Sequence, residues 1–307
     1  MVTRRPWKSH RWAGFAQSFA TLTALMGCGR IGYDAAGDAA AISPDAAVDA
    51  PAGAPCRSAD GFSAPRPLAE LNSAAAESML RLSADGTGYF SRDPSPGANP
   101  QARIFAARAG AGGGFQTPVA LAGAVNSALA EDPAIAADGS LLLFTSTRGG
   151  DGYDLWGAVR ANGDFLTPSP LQPLNSAAPE LSPYLLTSGK ALYFSRVVAG
   201  TGVALLRTVS DGGSLGTPAS TTAIPVVSNP VVSEDELELF YSENGDIFRA
   251  TRRLASDPFA TPVRSGALSS SGFDAPSWLS PDGCTMYLTS DRAGGAGSLD
   301  LWVASRK

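Results

Sequence analysis

The feature that most constrains the fold of this 307-residue chain is an internal repeat. A turn-like segment recurs five times, at intervals of 47 to 53 residues. The five segments are residues 83–86, 136–139, 187–189, 233–236 and 280–283. A fixed period of this length is typical of architectures that stack one small unit of secondary structure several times. The sequence therefore predicts five copies of one structural unit.

Each unit contains short apolar runs bounded by turn residues, a pattern typical of β-strands. The second run of a unit follows the turn directly, as at 141–144, and the third follows a glycine-rich loop, as at 154–156. A fourth run has the form Phe-x-Thr-Pro or close to it, as at 165–168. Because proline cannot donate to a β-ladder, this run belongs at a sheet edge. Four strands in a unit of this length indicate a blade of a β-propeller, and the 34 glycines and 23 prolines favour turns over helices.

The two ends of the repeat predict how the ring of blades closes. The third run of unit five is the last one in the sequence, whereas residues 62–65 supply a fourth run ahead of unit one. We expect this segment to complete the last blade, because closure removes open sheet edges that invite aggregation. The predicted fold is all-β, a five-bladed β-propeller of four-stranded antiparallel blades over residues 61–307. A solenoid, the rival architecture, would need capping repeats at both ends, and none is visible.

The repeats resemble those of a known family. The Ser-x-Asp-Gly turns, the strand ends at 144–148 and 288–292, and the Asp-Leu-Trp strands resemble the WD40-like Pro-Asp repeats of TolB-type periplasmic propellers. The resemblance covers about residues 60–307, and it implies a scaffold or binding module of the cell envelope. Units one, three and four depart from the pattern. The strand ends of units one and three are shortened, at Arg92 and Arg196, and unit four has no arginine at 243–245.

The N-terminal region has the layout of a secretory signal over residues 1–27. Four basic residues and no acid precede residue 28, and an apolar run too short to span a bilayer permanently covers 12–27. The run ends at Cys28 in a segment that resembles the lipobox of bacterial lipoproteins, in which this cysteine is acylated. In that family an Asp after the cysteine retains the protein at the inner membrane, so Gly29 implies an outer-membrane anchor, on its periplasmic or cell-surface side. The alternative is a cysteine that merely falls near an ordinary cleavage site.

Residues 28–60 form a predicted tether. They are rich in Ala, Asp and Pro, with almost no large apolar side chain after Tyr33, so they cannot bury enough surface to offset their ordering entropy. Cys56 lies within this segment and Cys284 begins the second strand of the last unit. Because an exported compartment permits disulfides, we expect a Cys56–Cys284 bond that clasps the closed ring. Two separate buried thiols are the alternative.

Several classes of chemistry are excluded by composition. The single histidine, His10, lies in the predicted signal, so the exported chain would contain no Ser-His-Asp triad, Cys-His dyad or His-based zinc site. The sequence contains no P-loop, dinucleotide fingerprint or EF-hand loop, and we expect no cofactor. The 28 acids outnumber the 23 basic residues, which argues against nucleic acid as a partner. A calcium ion at the Asp151–Asp154 loop is a further hypothesis with few oxygen ligands to support it.

An acid ahead of the first strand and an arginine after the second recur in four units. The pairs are Glu77 with Arg92, Asp132 (or Glu131) with Arg148, Glu180 with Arg196, and Asp274 with Arg292. In an up-and-down blade both positions lie on one face beside the central channel. Unit four has Asn229 for the acid and no arginine, and the joint loss indicates that the two are partners, since either alone would leave an unpaired charge. One interpretation is structural ion pairing between blades, and the other is a channel mouth that binds a ligand.

Two functions compete at this point. The first is a non-catalytic binding or scaffolding propeller, monomeric, whose partner is an envelope protein or a glycan. The second is a carbohydrate-active enzyme, which would need two channel carboxyls roughly 5 to 9.5 Å apart, one with a raised pKa. Each candidate carboxyl has an arginine in the same unit, and a neighbouring cation opposes the protonated form that a general acid needs, which favours the non-catalytic interpretation.

Overall fold

The computed structural model describes Cys56 and residues 61–95, 100–110, 112, 114–150, 152–200, 202–211, 214–221 and 224–306. The predicted signal, Cys28 and the tether therefore lie outside the described residues, apart from Cys56. Within the described part, the strands form five antiparallel sheets. No helix in this part is both long and apolar enough to cross a membrane.

Each sheet is one blade, and its strands follow one another from the axis outwards. Blade 1 contains β2 (Ala76–Leu82), β3 (Gly88–Asp93), β4 (Arg103–Ala107) and β5 (Val119–Ala120). Blade 2 contains β6 (Glu131–Ile135), β7 (Leu141–Ser146), β8 (Asp154–Ala161), which β9 (Asp164–Phe165) extends, and β10 (Ser169–Pro170). Blade 3 contains β11 (Glu180–Leu185), β12 (Ala191–Val198), β13 (Gly202–Asp211), which β14 (Ser214–Leu215) extends, and β15 (Ala219–Ser220). Blade 4 contains β16 (Ser228–Val232), β17 (Glu238–Glu243), β18 (Asp246–Thr251) and β19 (Val263–Arg264). Blade 5 contains β20 (Asp274–Leu279), β21 (Thr285–Ser290), β22 (Asp300–Ser305) and β1 (Arg66–Pro67).

The N-terminal strand closes the ring as predicted. β1 pairs with β22, with Arg66 opposite Val303 and Pro67 opposite Trp302. The outer strand nevertheless starts just after residues 62–65, and the same offset recurs after each Phe-x-Thr-Pro run. In blade 2 the reason is visible, because Phe165 of the run pairs back onto Arg160 of β8. The Phe165 end of the run thus extends β8, and the outer strand β10 begins directly after Pro168.

The recurring turns have glycine where the backbone is left-handed. Gly86, Gly139, Gly189 and Gly283 have φ values of 79°, 73°, 70° and 73°. Blade 4 has Glu236 at this position instead, with φ of 62°. A side chain is strained there, and two hydrogen bonds from Arg207, of 2.7 and 2.8 Å to the Glu236 carboxylate, hold it in place.

The core consists of apolar side chains packed between neighbouring blades. Its largest fully buried members include Phe144, Phe194 and Phe240. Phe62, from the segment that closes the propeller, is also buried. The centroids of the Phe62 and Phe240 side-chain rings are 5.9 Å apart. Burying one such side chain contributes about 1.5 to 3 kcal/mol, so the closing segment is held by packing as well as by strand pairing.

The predicted disulfide is present. Cys56 and Cys284 are bonded, with their Cα atoms 4.9 Å apart. The Cys56 N–H also donates to the carbonyl of Asp282 at 2.8 Å. A Cβ atom on Gly283 would lie 3.2 Å from the Cys56 carbonyl oxygen, so the turn glycine leaves the space in which Cys56 docks.

Candidate functional site

Two faces of the propeller have different constituents. The loop face carries the loops between second and third strands and the connections between blades. The turn face carries the recurring glycine turns. All the predicted acid and arginine positions lie toward the loop face, except that the structure moves Asp132 to the axis.

Blades 1 and 3 contain the predicted pairs. Arg92 Nε lies 2.7 Å from Glu77 Oε1, and Arg196 Nε lies 2.6 Å from Glu180 Oε1. Both carboxylates are fully buried, whereas the two arginine side chains are 20% and 23% exposed. A serine completes each site, since the backbone N–H of Ser176 donates to Glu180 Oε2 at 3.0 Å and its hydroxyl donates to Oε1 at 2.5 Å. These carboxylates are therefore saturated with donors.

Blade 5 reaches the same arrangement from a different backbone position. Asp274 lies opposite Ser290 in the strand register, and Arg292 follows two residues later. The longer reach still brings Arg292 Nη2 to 2.6 Å from Asp274 Oδ1. Ser270 donates to the same carboxylate from its backbone N–H and its hydroxyl. The pair is thus conserved in geometry across three blades without a constant sequence spacing.

Blade 2 differs from the prediction. The register of Glu131 opposite Thr145 puts Ala130, and not Asp132 or Glu131, at the position that Glu77 occupies in blade 1. Arg148 donates instead to the hydroxyl of Ser146 at 3.0 Å and to two carbonyl oxygens of the preceding loop. In this blade neutral oxygen atoms therefore accept the hydrogen bonds that a carboxylate accepts from the arginine in blades 1, 3 and 5.

Blade 4 lacks both the acid and the arginine, but the equivalent positions in this blade are not the ones that the sequence pattern predicted. Ser228 pairs with Ser242, so Val227 corresponds to the acid and Glu243 to the arginine. Asn229, which the sequence pattern aligned with the acids, corresponds to Asp132. Both the acid and the arginine are absent from blade 4, but blade 2 keeps Arg148 without an acid at the equivalent position, so the inference that the two are lost together is wrong for blade 2.

The arginines also fasten the connections between blades. In each of four blades the Nη2 atom donates to a carbonyl of the incoming connection, at Leu71, Val125, Leu174 and Leu268. The ion pairs therefore lie within a blade, not between two blades as the structural interpretation expected. They link neighbouring blades indirectly, through the connection that they hold.

Sequence reasoning missed a residue that completes this link. Asn175 follows Leu174 in the connection, and its amide exchanges two hydrogen bonds of 2.9 Å with the backbone of Leu155 in the preceding blade. Asn72 and Asn126 do the same with Leu301 and Ile104. The signal was present in the sequence, because Leu-Asn-Ser occurs at both 71–73 and 174–176.

The axis is lined by residues at β-bulges in the first strands. Met79, Asp132, Ser182 and Asn229 have φ of 57°, 52°, 51° and 52°, as expected where an extra residue re-aims a strand. Ser182 Oγ donates to Asp132 Oδ2 at 3.0 Å, and Asn229 Nδ2 donates to Ser182 Oγ at 3.1 Å. Asn229 Nδ2 also contacts Met79 Sδ at 3.6 Å. Blades 4 and 1 are not neighbours in the ring, so this last contact crosses the axis.

A pocket of about 540 Å³ opens on the loop face between blades 2 and 3. Its walls are formed by Gly152, Tyr153, Asp154, Gln172, Asn175, Ser176 and residues 177–179. Ser176 donates to Glu180, so the buried ion pair of blade 3 supports one wall of the pocket. The pocket combines an aromatic ring, a carboxylate and an amide, which suits a polar ligand.

A second carboxyl of interest lies on the same face in blade 5. Burial, and to a smaller extent the charge of Asp274, raises the pKa of Asp291. The backbone N–H of Phe273 donates to Asp291 Oδ1 at 2.6 Å. The sequence pattern did not single out this residue.

Among the described residues no group of three or more His, Cys, Asp or Glu side chains is arranged to hold a metal ion, and Asp151 of the calcium hypothesis lies outside them.

The sheet order defines the protein as a five-bladed β-propeller, which confirms the fold that the resemblance to TolB-type repeats implied. No protein-family model and no curated protein matches the sequence. Solved structures with a similar fold include TolB from Acinetobacter baumannii, 17% identical with a TM-score of 0.44, where the match covers 64% of this chain. This chain spans only 44% of that TolB. A gluconolactonase from Xanthomonas campestris is 12% identical with a TM-score of 0.44, over 84% of this chain and 99% of that one.

Proposed function

We propose that the protein is a non-catalytic binding or scaffolding propeller of the cell envelope, tethered to the outer membrane through a lipid on Cys28. The observation that carries the proposal is the saturation of the loop-face carboxylates. Glu77, Glu180 and Asp274 are fully buried, and each accepts from an arginine and from both donors of a serine. Carboxylates in these networks stabilise the fold and are not available for catalysis. We therefore assign binding to the surface around them.

The loop-face pocket is the binding site in this proposal, and its ligand is a glycan or a polar segment of an envelope protein. Tyr153, Asp154 and Gln172 line the pocket, and an aromatic ring, a carboxylate and an amide are groups that recognise such polar ligands. The predicted channel-mouth arginines Arg92, Arg148, Arg196 and Arg292 are not among the residues that line this pocket, and in this proposal they act by fastening the connections between blades.

Binding of the purified full-length protein to an array of bacterial envelope glycans and peptidoglycan fragments tests this proposal. We expect a specific hit whose affinity falls at least about tenfold in Gln172→Ala, equivalent to about 1.4 kcal/mol. Gln116→Ala is the matched control, because Gln116 is exposed on the opposite face. In bacterial cells that express the full-length chain, Cys28→Ala should shift the protein from the membrane fraction to the soluble fraction. Unchanged binding by Gln172→Ala would contradict the pocket, and continued membrane association of Cys28→Ala would contradict the anchor.

A carbohydrate-active enzyme is the competing proposal, and Asp291 is the observation in its favour. A raised pKa is what a general acid needs, and Asp274 supplies a second carboxyl nearby. Asp274, however, is bound by Arg292, Ser270 and Ser290, so it is not available as a base or nucleophile. Hydrolysis of aryl glycosides that is lost in Asp291→Asn would reverse the order of the two proposals.

A further inference from the structure

Arg81 is a buried cation on the axis of the propeller. It lies in β2 opposite Tyr89, and only 2% of its surface is exposed. Its guanidinium carbon is 5.0 Å from the centroid of the Tyr184 ring in blade 3. Since blades 1 and 3 are not neighbours in the ring, this contact spans the axis. Arg81 therefore points into the channel, nearer the turn face than Met79.

Two nitrogen atoms of Arg81 lack an acceptor. Nε and Nη2 are buried and have no hydrogen-bond partner among the described residues. Nη1 reaches only the carbonyl of Leu80, at 3.5 Å. Burial lowers the pKa of Arg81 to about 10, against the opposing effects of Tyr184 and Asp132, so the side chain is a cation at neutral pH. Buried charges are normally paired, but among the described residues no anion is in hydrogen-bond contact with this one.

The unpaired edge is the one with which other arginines of this protein hold carboxylates. Arg207 donates from Nε and Nη2 to the two oxygens of Glu236, at 2.7 and 2.8 Å. Arg249 uses the same two nitrogens on Glu238. The planar fork of these donors matches the spacing of two oxygens in a carboxylate or a phosphate.

We propose that the Nε–Nη2 edge of Arg81 binds an oxyanion, the carboxylate or phosphate group of a ligand, on the axis of the propeller. The site is new relative to the proposed function, because it lies on the axis and not in the loop-face pocket. Either proposal can therefore fail while the other stands. Asp132 is the charged neighbour on the axis, and its carboxylate accepts from Ser182 on the side toward the loop face.

Thermal unfolding of the purified full-length protein tests the site, with phosphate or acetate replacing chloride at constant ionic strength. We expect the wild-type midpoint to rise by about 5 °C when the anion is about 100-fold above its Kd. Arg81→Met removes the charge at similar length, and its midpoint should not respond. Arg108→Met removes an exposed charge and should respond like the wild type. A rise with phosphate alone assigns a phosphate group, and a rise with acetate alone assigns a carboxylate.

Crystals grown from phosphate or acetate give a readout that does not depend on how well the variants fold. Anion oxygens within hydrogen-bond distance of Arg81 Nε and Nη2 would support the proposal. Water alone at this edge in both crystals would overturn it. So would a wild-type midpoint that responds to neither anion, or an Arg81→Met midpoint that responds as the wild type does.

Discussion

Replacing Glu180 by glutamine should lower the free energy of unfolding by about 3 kcal/mol. Glu180 is fully buried and accepts from the Ser176 N–H at 3.0 Å, the Ser176 hydroxyl at 2.5 Å and Arg196 Nε at 2.6 Å. Glutamine keeps the shape, but its NH2 group would face donors, and Arg196 would lose its counter-charge. Breaking a buried pair costs about 3 to 5 kcal/mol, and the lower end applies because the Arg196 side chain is 23% exposed to water.

Urea unfolding at pH 7, followed by tryptophan fluorescence, measures this loss. Arg196→Met and the double variant complete a double-mutant cycle, in which the double variant should be more stable than the sum of the single effects predicts. Asp246→Asn is the control, because its partner Arg264 is 38% exposed and surface pairs contribute about 0 to 1 kcal/mol. A Glu180→Gln protein within about 0.5 kcal/mol of the wild type would refute the claim that the pair holds the blades together.

Two further predictions concern the last blades. The Cys56→Ser/Cys284→Ser variant should lose about 2 to 4 kcal/mol, because the bond closes a loop with a sequence separation of 228 residues; an unchanged urea midpoint relative to the oxidised wild type would count against this. Burial alone would raise the pKa of Glu238, but hydrogen bonds from Arg306 and Arg249 outweigh it and hold that pKa below its usual range. The resulting stabilisation is present above the unfolded pKa of about 4.3 and is lost as the pH falls through the folded pKa. Urea midpoints measured between about pH 5 and pH 3 should therefore fall more steeply in the wild type than in Glu238→Gln, and parallel curves would contradict this.

The architecture was predictable because its signals are local and repeated. Turn glycines such as Gly139, the apolar runs after them and the spare run near Phe62 each depend on a few adjacent residues. The disulfide followed once the ring was closed in the predicted way. The outer strands were placed too early, because the Phe-x-Thr-Pro run reads as one strand although Phe165 pairs back onto β8 before the proline.

The site was harder to predict because its register is set by bulges. A bulge in each first strand shifts the count, so Asp132 lies on the axis while Ala130 takes the position of the acid. A two-residue offset along the backbone hides the equivalence of Arg148 and Arg292 with Arg92, although all three side chains donate to the corresponding carbonyl of the incoming connection. The sequence pattern did not single out Arg81, because its two nitrogen atoms without acceptors are visible only in the folded chain.

The Cys56–Cys284 bond also fixes the face at which the N-terminal part of the chain joins the propeller. Cys56 is bonded beside the glycine turn of blade 5, and Ser63 donates from its N–H to Ser305 at the same end of the blade. Whatever precedes Cys56 in the chain is therefore attached at that end. In the proposed lipid-anchored protein, the chain from Cys28 would thus join the propeller at its turn face, and the pocket beside Tyr153 lies on the opposite, loop face.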